Sequence, residues 1–260
     1  MNDHLKTAIQ AALAAGKKIM EIYETGDFGV DMKSDNSPLT KADIASHNVI
    51  MEFLEKTGIP VLSEEGKDIP YSERQNWDKL WIVDPIDGTK EFIKKNGEFT
   101  VNIALIENHQ PVAGVVYAPA IDELYYSDRE NGAFLTMGKH SHSLESAIAN
   151  SVKIPSERPA KYTVVASRSH MSSETEDFVN DLRAEHGELE LISKGSSLKL
   201  CMVARGKANC YPRFAPTMEW DTAAGQAICN HAGFTVTDWK TKEPMQYNRK
   251  ELLNNWFLVN

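Results

Sequence analysis

The strongest constraint in this 260-residue sequence is a short apolar run that ends abruptly in two carboxylates. Residues 81–89 read WIVDPIDGT, so Asp84 follows a predicted strand, Pro85 fixes the backbone, and Asp87 lies in a tight turn. Two carboxylates held this closely raise each other's pKa unless a cation lies between them. Oxygen ligands of this kind suit a hard divalent cation such as Mg²⁺. This segment alone leaves a plainer interpretation open, in which both aspartates only cap a helix that begins at Thr89.

Two further acidic positions favour the metal interpretation. A second predicted strand, residues 60–63, also ends in carboxylates, at Glu64 and Glu65. Asp221 lies in the run WDTAAG, residues 220–225, whose small residues leave room for close packing against a ligand or another backbone. Taken singly, Glu64 and Glu65 would be an exposed acidic turn and Asp221 the N-cap of a helix. Taken together, they predict one metal site built from separate elements.

The charge of the chain excludes some classes of protein. With 37 acidic and 28 basic residues, the formal net charge is −9, which argues against binding DNA or RNA through the overall field. A small anionic substrate remains compatible, because a few local cations or metal ions can outweigh the global charge. We therefore expect a small-molecule partner and no nucleic-acid polymer, and the sequence leaves the oligomeric state open.

Cysteine usage and hydropathy indicate where the protein works. The 3 cysteines form no Cys-x-x-Cys pair, which is typical of a reducing compartment. The amino-terminal residues lack the apolar run of a signal peptide, and no stretch has the length and hydropathy of a membrane span. These features predict a cytoplasmic protein without stable membrane insertion, and peripheral association with the inner face of the cell membrane stays open.

Periodicity along the chain predicts mixed α and β structure. Thr40 and Asp43 have the spacing of a capping box at the start of a second helix. The polar segment 139–160, with two prolines, is predicted to connect an α+β half to a more alternating α/β half. The predicted helices are residues 1–24, the helix after Thr40, 173–186, 197–205 and 222–231. The predicted strands are 60–63, 80–83, 99–106, 112–117, 124–127, 133–136, 162–166 and 189–193, with a hairpin around 107–111.

Three of these motifs together resemble the inositol monophosphatase superfamily. They are the run WIVDPIDGTKEF at 81–92, the pair Glu64-Glu65, and WDTAAG at 220–225. The resemblance extends over essentially the whole chain and is nearest to the bacterial CysQ-type 3′(2′),5′-bisphosphate nucleotidases. It implies a layered αβαβα sandwich and a lithium-sensitive, Mg²⁺-dependent phosphatase. It also implies one domain over 1–260, with an α+β half at about 1–150 and an α/β half at about 160–260.

The resemblance also implies roles for individual residues. One of two or three Mg²⁺ ions would be held by Glu64, Asp84 and the Ile86 carbonyl, and another by Asp84, Asp87 and Asp221. Thr89 and Asp43 match the pair that orients the attacking water, and Glu64 counts with them as catalytic. The hydroxyl of Thr89 can both donate and accept a hydrogen bond, which suits this role.

Further residues predict the substrate contacts. The Gly-Ser-Ser turn at 195–197 would present backbone N–H groups and hydroxyls to an anion at a helix N-terminus, with Lys199 one turn further. Arg213 lies between aromatic residues, where a guanidinium can grip phosphate. The full set of predicted substrate contacts is Glu64, Asp87, Gly88, Thr89, Ser167, His170, Ser196, Lys199, Arg213 and Asp221.

The function that this resemblance implies is removal of the 3′-phosphate of adenosine 3′,5′-bisphosphate, which gives AMP and phosphate. Action on 3′-phosphoadenylyl sulfate would connect the enzyme with sulfate assimilation. Two alternatives stay open: an inositol or fructose-bisphosphate phosphatase of the same fold, and a non-catalytic nucleotide or metal sensor. The presence of both Thr89 and Asp43 argues against a sensor, because binding alone does not require a pair that orients water.

Overall fold

A computed structural model describes residues 1–33, 37–138, 142–166 and 171–260. Two predicted substrate contacts, Ser167 and His170, lie outside the described residues. The helices are α1 (Asp3–Thr25), α2 (Lys41–Leu54), α3 (Tyr71–Arg74), α4 (Thr89–Ile93), α5 (Leu144–Ala149), α6 (Ser173–His186), α7 (Leu198–Arg205) and α8 (Glu219–His231), with a 3₁₀ turn at Glu55–Thr57. The strands are β1 (Asp31–Met32), β2 (Pro38–Leu39), β3 (Val61–Ser63), β4 (Lys79–Asp87), β5 (Thr100–Glu107), β6 (Gln110–Ala118), β7 (Glu123–Asp128), β8 (Gly132–Met137), β9 (Val152–Ile154), β10 (Thr163–Val165), β11 (Glu190–Ile192), β12 (Tyr211–Arg213), β13 (Val236–Asp238) and β14 (Phe257–Val259).

The largest sheet has seven strands in the order β3-β4-β5-β6-β7-β8-β9. Strands β3 and β4 pair in parallel, and each later neighbour pairs antiparallel. The predicted hairpin is confirmed as β5–β6, and β7 and β8 extend the same sheet as expected. Strands β5 and β6 are buried along almost their whole length. Their continuous apolar character follows, because neither face of the sheet meets solvent there.

Alternate residues of β4 show which helices cover each face. Trp81 and Val83 lie in one core cluster together with α1 and α2. Leu80 and Ile82 lie in a second cluster together with α7 and α8. This alternation is the period of two that a strand imposes on its side chains.

A second sheet lies on the far side of α7 and α8. Strands β12-β14-β13 form its antiparallel part, and a bridge between Val164 and Cys210 joins it to the parallel pair β10–β11. Phe257 and Val259 of β14 pack in the same core cluster as α7 and α8. Helix α6 packs its Val179 against Val164 on the other face. The layers therefore follow the order αβαβα, which confirms the predicted fold class.

Helix α8 lies unusually close to the central sheet. A Cβ added to Gly114 of β6 would come within 2.5 Å of the carbonyl oxygen of Ala224, and one added to Gly225 would come within 3.0 Å of Leu200. The small residues of the run at 220–225 therefore pack against β6 and α7. This contact fixes the N-terminus of α8 at the edge of the sheet where β4 ends.

Two predictions about secondary structure are wrong in detail. The segment 139–160 is more than a connection, because within its described part α5 and β9 form, and β9 adds a seventh strand beside β8. Helix α8 begins at Glu219, three residues before the predicted start at Thr222. Asp221 therefore lies in the first turn, where its Oδ2 accepts a hydrogen bond of 2.7 Å from the backbone N–H of Met218. No helix in the described ranges has the length and apolar character needed to cross a membrane.

Candidate metal centre and substrate cavity

Three carboxylates from two elements converge at one edge of the central sheet. Asp84 and Asp87 lie near the end of β4, and Asp221 lies in the first turn of α8. One oxygen of each lies within 4.8 Å of the others. Positions three apart on a regular strand point to opposite faces. The register between β4 and β5 shifts between Asp84 and Asp87, and this break lets both side chains reach one site.

Short hydrogen bonds fix the turn that follows Asp84. Its Oδ1 accepts a hydrogen bond of 3.0 Å from the backbone N–H of Ile86. The hydroxyl of Ser46 in α2 donates to the carbonyl of Pro85 at 2.8 Å. Asp84 is only 1% exposed, so it is held in a nearly water-free position.

Glu64 reaches the same edge from the neighbouring strand. Because β3 runs parallel to β4, the residues that follow the two strands meet, and the N–H of Glu64 donates to the Val83 carbonyl at 3.1 Å. The carboxyl group of Glu64 lies close enough to that of Asp84 for the two to repel each other. Lys33 donates to Glu64 Oε1 at 2.8 Å and also to Glu65. The ammonium group of Lys33 thus faces both glutamates predicted from the sequence.

Burial raises the pKa of Asp84, Asp87, Asp221 and Glu64, and repulsion within this group adds to the effect at Asp84 and Asp221. The pKa of Asp84 lies well above its ordinary value because the group is buried and faces Glu64, Asp87 and Asp221. Burial, reinforced by Asp87, raises the pKa of Asp221 to about 8. Burial also raises the pKa of Asp87, where the charge of Lys199 opposes the rise. Burial likewise raises the pKa of Glu64, where Lys33 opposes it. At neutral pH the group therefore needs either protons or a cation.

The chemistry of this donor set fits a hard metal ion. Asp84, Asp87 and Asp221 each offer an oxygen close enough to share one ion. Nitrogen and sulfur ligands are absent from this group of three, and oxygen-only sets favour Mg²⁺, Mn²⁺ or Ca²⁺. These acidic residues could therefore hold a metal ion.

The predicted pair Asp43 and Thr89 lies beside the carboxylates. The hydroxyl of Thr89 is 3.3 Å from Asp43 Oδ1 and 3.4 Å from the Ile86 carbonyl oxygen. Asp43 Oδ2 accepts from the N–H of Thr40 at 2.7 Å, within the capping box that the sequence predicts. Burial raises the pKa of Asp43 to about 6. Thr89 is not the N-cap of α4, because Gly88, with a φ of 91°, takes that position.

A cavity of about 340 Å³ adjoins the carboxylates. Its lining brings together six of the predicted substrate contacts. Those six are Asp87, Gly88, Ser196, Lys199, Arg213 and Asp221. The cavity thus joins two of the predicted metal ligands, Asp87 and Asp221, to other predicted substrate contacts, whereas Glu64 and Thr89 are not among the residues that line it.

Two of the basic side chains that line this cavity, Lys199 and Arg213, are predicted substrate contacts. Burial lowers the pKa of Lys199, although Asp87 opposes this effect. The Nη2 of Arg213 donates to the Pro216 carbonyl at 3.1 Å. The buried Nε of Arg213 has no hydrogen-bond partner among the described residues. A buried donor without an acceptor costs about 1–3 kcal/mol.

One expectation about the Gly-Ser-Ser turn needs correction. The N–H of Gly195 is not available to an anion, because it donates to Glu98 Oε2 at 2.8 Å. The other oxygen of Glu98 accepts from Lys194 at 3.2 Å. Ser197 Oγ also has protein partners, in Asp87 and Asp221. Ser196, with a φ of 46°, is the hydroxyl of this turn that lines the cavity.

Sequence reasoning missed Lys33, Asn102 and Glu98. Asn102 interrupts the apolar strand β5, and a buried amide in such a strand is a signal that could have been read. Lys33 and Glu98 carry no such signal, because each is an ordinary charged residue in a polar stretch. Their partners lie 31 and 97 positions away along the chain, at Glu64 and Gly195.

Known proteins resemble this chain over nearly its whole length. The profile of the inositol monophosphatase family matches residues 1–258. The 3′(2′),5′-bisphosphate nucleotidase CysQ of Escherichia coli strain K12 is 46% identical over 260 residues, with 98% of each chain covered. The crystal structure of CysQ from Bacteroides thetaiotaomicron superimposes with a TM-score of 0.89 at 51% identity, and covers 99% of this chain and 96% of that one. An inositol monophosphatase from Thermotoga maritima, 23% identical with a TM-score of 0.75, shares the fold.

The raised pKa values predict how metal-free protein responds to pH. The pKa of Asp221 is about 8 when folded, against an ordinary value of 3.8, so between these values the folded state binds more protons than the unfolded state. Stability therefore falls as pH rises through this window. Between pH 6 and 8 we expect the melting temperature of EDTA-treated protein to fall by about 2–4 °C per pH unit, by differential scanning fluorimetry.

Saturating Mg²⁺ should abolish this slope, because a bound cation replaces the protons. Asp221→Asn should flatten the slope without metal, since the variant lacks one of the titrating groups. A melting temperature of metal-free wild type that is constant or rises between pH 6 and 8 would show that these carboxylates do not repel one another as described.

Proposed function

We propose that this chain, which belongs to the inositol monophosphatase family, is a 3′(2′),5′-bisphosphate nucleotidase. It removes the 3′-phosphate of adenosine 3′,5′-bisphosphate, which yields AMP and phosphate, and it also accepts 3′-phosphoadenylyl sulfate. One observation carries the proposal: the cluster of aspartates adjoins a cavity whose lining includes Lys199 and Arg213. The relatives named as nucleotidases of this specificity support it, at 46% identity over the chain.

The metal in this proposal is Mg²⁺, at two or three sites. Glu64, Asp84 and the Ile86 carbonyl would hold one ion, and Asp84, Asp87 and Asp221 another. When bound, the ions polarise the phosphoryl oxygens and make a water molecule more acidic. Asp84 belongs to both sets because Glu64, Asp87 and Asp221 all lie close enough to add to the effect of burial on its pKa.

Asp43 and Thr89 act on the water that attacks phosphorus. The Thr89 hydroxyl, 3.3 Å from Asp43 Oδ1, can accept a hydrogen bond from this water while it donates to Asp43. Asp43 is ionised at neutral pH, since its pKa is about 6, and can therefore take up the proton. Glu64, on the other side of Asp84, is assigned with this pair as a second acceptor for the same water.

The basic residues of the cavity hold the phosphate that is not cleaved. Arg213 offers a buried Nε that no described residue accepts from, and Lys199 adds an ammonium group near Asp87. Ser196 adds a hydroxyl in the same wall, next to Gly88. Ser167 and His170 complete the proposed substrate site from the sequence alone.

The alternatives are weaker on specific grounds. A substrate with one phosphate, such as inositol monophosphate, would leave Arg213 without the anion that its buried Nε lacks. Fructose 1,6-bisphosphate has two phosphates but no nucleobase that could pack against the aromatic residues Tyr211 and Phe257 of the cavity wall. A sensor without catalysis would not need the Asp43–Thr89 pair, which lies beside the carboxylates.

The substrate and the metal can be tested together by phosphate release. On adenosine 3′,5′-bisphosphate, inositol monophosphate and fructose 1,6-bisphosphate, we expect a preference for the nucleotide of at least tenfold in kcat/KM. EDTA should abolish release and Mg²⁺ should restore it. A preference for inositol monophosphate would refute the nucleotidase assignment, and full activity in metal-free buffer would refute the metal dependence.

If Arg213 binds the phosphate that is not cleaved, its loss should lower kcat/KM on a substrate with two phosphates more than on a substrate with one. A charge-assisted hydrogen bond contributes about 1.5–3 kcal/mol, so Arg213→Ala should reduce kcat/KM on adenosine 3′,5′-bisphosphate roughly ten- to hundred-fold. The loss on 3′-AMP, which lacks the 5′-phosphate, should be within about threefold. Lys199→Ala should follow the same pattern, with a larger effect on 3′-AMP because Lys199 also faces Asp87.

Lys207→Ala serves as the control, because Lys207 pairs with Glu157 and is not among the residues that line the cavity. It should leave kcat/KM unchanged on both substrates. Equal losses on the two substrates in Arg213→Ala would mean that Arg213 supports the fold or the cleaved phosphate instead.

A further inference from the structure

A chain of buried polar side chains ends on one of the proposed metal ligands. The hydroxyl of Thr100 donates to Asn102 Oδ1 at 2.9 Å, and Asn102 Nδ2 donates to Ser197 Oγ at 2.9 Å. The hydroxyl of Ser197 lies 2.8 Å from Asp87 Oδ2. Thr100, Asn102 and Ser197 are each no more than 1% exposed, so water does not compete for these bonds.

Ser197 joins the two elements that carry the carboxylates. Its Oγ is 2.8 Å from Asp87 Oδ2 at the end of β4, and 2.7 Å from the backbone carbonyl of Asp221 in α8. A serine hydroxyl has one proton, and the bond from Asn102 already uses an acceptor position. This one proton is therefore shared between the two acceptors in reach, Asp87 Oδ2 and the Asp221 carbonyl oxygen.

Asn102 orients the serine from the opposite side. It lies in β5 across from Asp84, and its amide group is fixed by the bond that Oδ1 accepts from Thr100. Its Nδ2 also lies 3.5 Å from Asp87 Oδ2. The amide of Asn102 and the hydroxyl of Ser197, which both approach Asp87 Oδ2, are therefore also hydrogen-bonded to each other.

We propose that Ser197 is a positioning residue for the metal centre. Asn102 orients Ser197, and Ser197 fixes the Asp87 carboxylate and the start of α8 relative to each other. This proposal rests on the proposed function, since it takes Asp87 and Asp221 as metal ligands. Residues that hydrogen-bond a metal ligand fix its orientation, and their loss typically weakens metal binding by 10–100-fold. Ser197 is also the N-cap of α7, directly after Ser196, so the same residue links the metal ligands to the turn that lines the substrate cavity.

The test is Mg²⁺ binding by Ser197→Ala, measured by isothermal titration calorimetry without nucleotide. We expect the Mg²⁺ dissociation constant to rise about 10–100-fold. The Mg²⁺ concentration that half-saturates phosphate release should rise by a similar factor, whereas kcat at saturating Mg²⁺ should fall much less. A purely structural defect would instead lower kcat at all Mg²⁺ concentrations and leave the dissociation constant of the folded fraction unchanged.

Ser127→Ala is the matched control. Ser127 is also fully buried, but its hydroxyl is bonded to His231 instead of a carboxylate of the site. The dissociation constant of the Ser127→Ala variant for Mg²⁺ should stay within twofold of wild type. Asn102→Ala provides a second variant, and in a double-mutant cycle with Ser197→Ala the two losses should be strongly non-additive, because both act through one chain of bonds.

A dissociation constant of Ser197→Ala or of Asn102→Ala within twofold of wild type would overturn the proposal. Because the calorimetric measurement uses no nucleotide, its outcome is independent of which substrate the enzyme cleaves. A failure of the nucleotidase assignment in the phosphate-release panel is therefore distinguishable from a failure of the role of Ser197.

Discussion

The repulsion between carboxylates at one edge of the central sheet is the constraint on which the rest of the site depends. Asp84, Asp87 and Asp221 bring oxygens within 4.8 Å of one another, and burial raises the pKa of each. Such an arrangement is unfavourable in folded protein unless a cation or protons balance the charge. The cost is consistent with a site selected to bind metal, because the residues nearby do not relieve it. Lys33 donates to the two glutamates, and Lys199 opposes the rise in the pKa of Asp87 that burial causes without reversing it.

A few local features of the fold position these carboxylates. The parallel pairing of β3 with β4 places Glu64 next to Asp84, and the register break in β4 turns Asp87 toward the same site. The missing side chain of Gly114 lets α8 approach the sheet, which places Asp221 opposite. Because these features lie in the central sheet and in α8, the site exists only when α8 is packed against this sheet. The substrate cavity uses the same arrangement, since its walls come from the end of β4, the start of α7 and β12.

The parts of this structure that follow local rules could be predicted from the sequence, and the parts set by long-range contacts could not. The capping box of Thr40 and Asp43 and the hairpin β5–β6 follow from residues a few positions apart, and both predictions are confirmed. The strand β9 is three residues long within a polar segment, so it carries too little pattern to be recognised. The early start of α8 depends on a bond between Asp221 and the backbone of Met218 that propensity does not reveal. Likewise, the N–H of Gly195 is taken by Glu98, 97 residues away, which no local motif indicates.

The central claim is that these carboxylates form a site for divalent metal, and diffraction from crystals soaked in Mn²⁺ tests it most directly. Mn²⁺ takes the oxygen ligands that Mg²⁺ takes and gives an anomalous signal. The account predicts an anomalous peak about 2.1 Å from oxygens of Asp84, Asp87 and Asp221, and a second peak against Glu64 and Asp84. In crystals of Asp84→Asn, both peaks should weaken together, because Asp84 is assigned to both ions. A wild-type map without a peak in contact with Asp84, at Mn²⁺ concentrations that support phosphate release, would contradict the account.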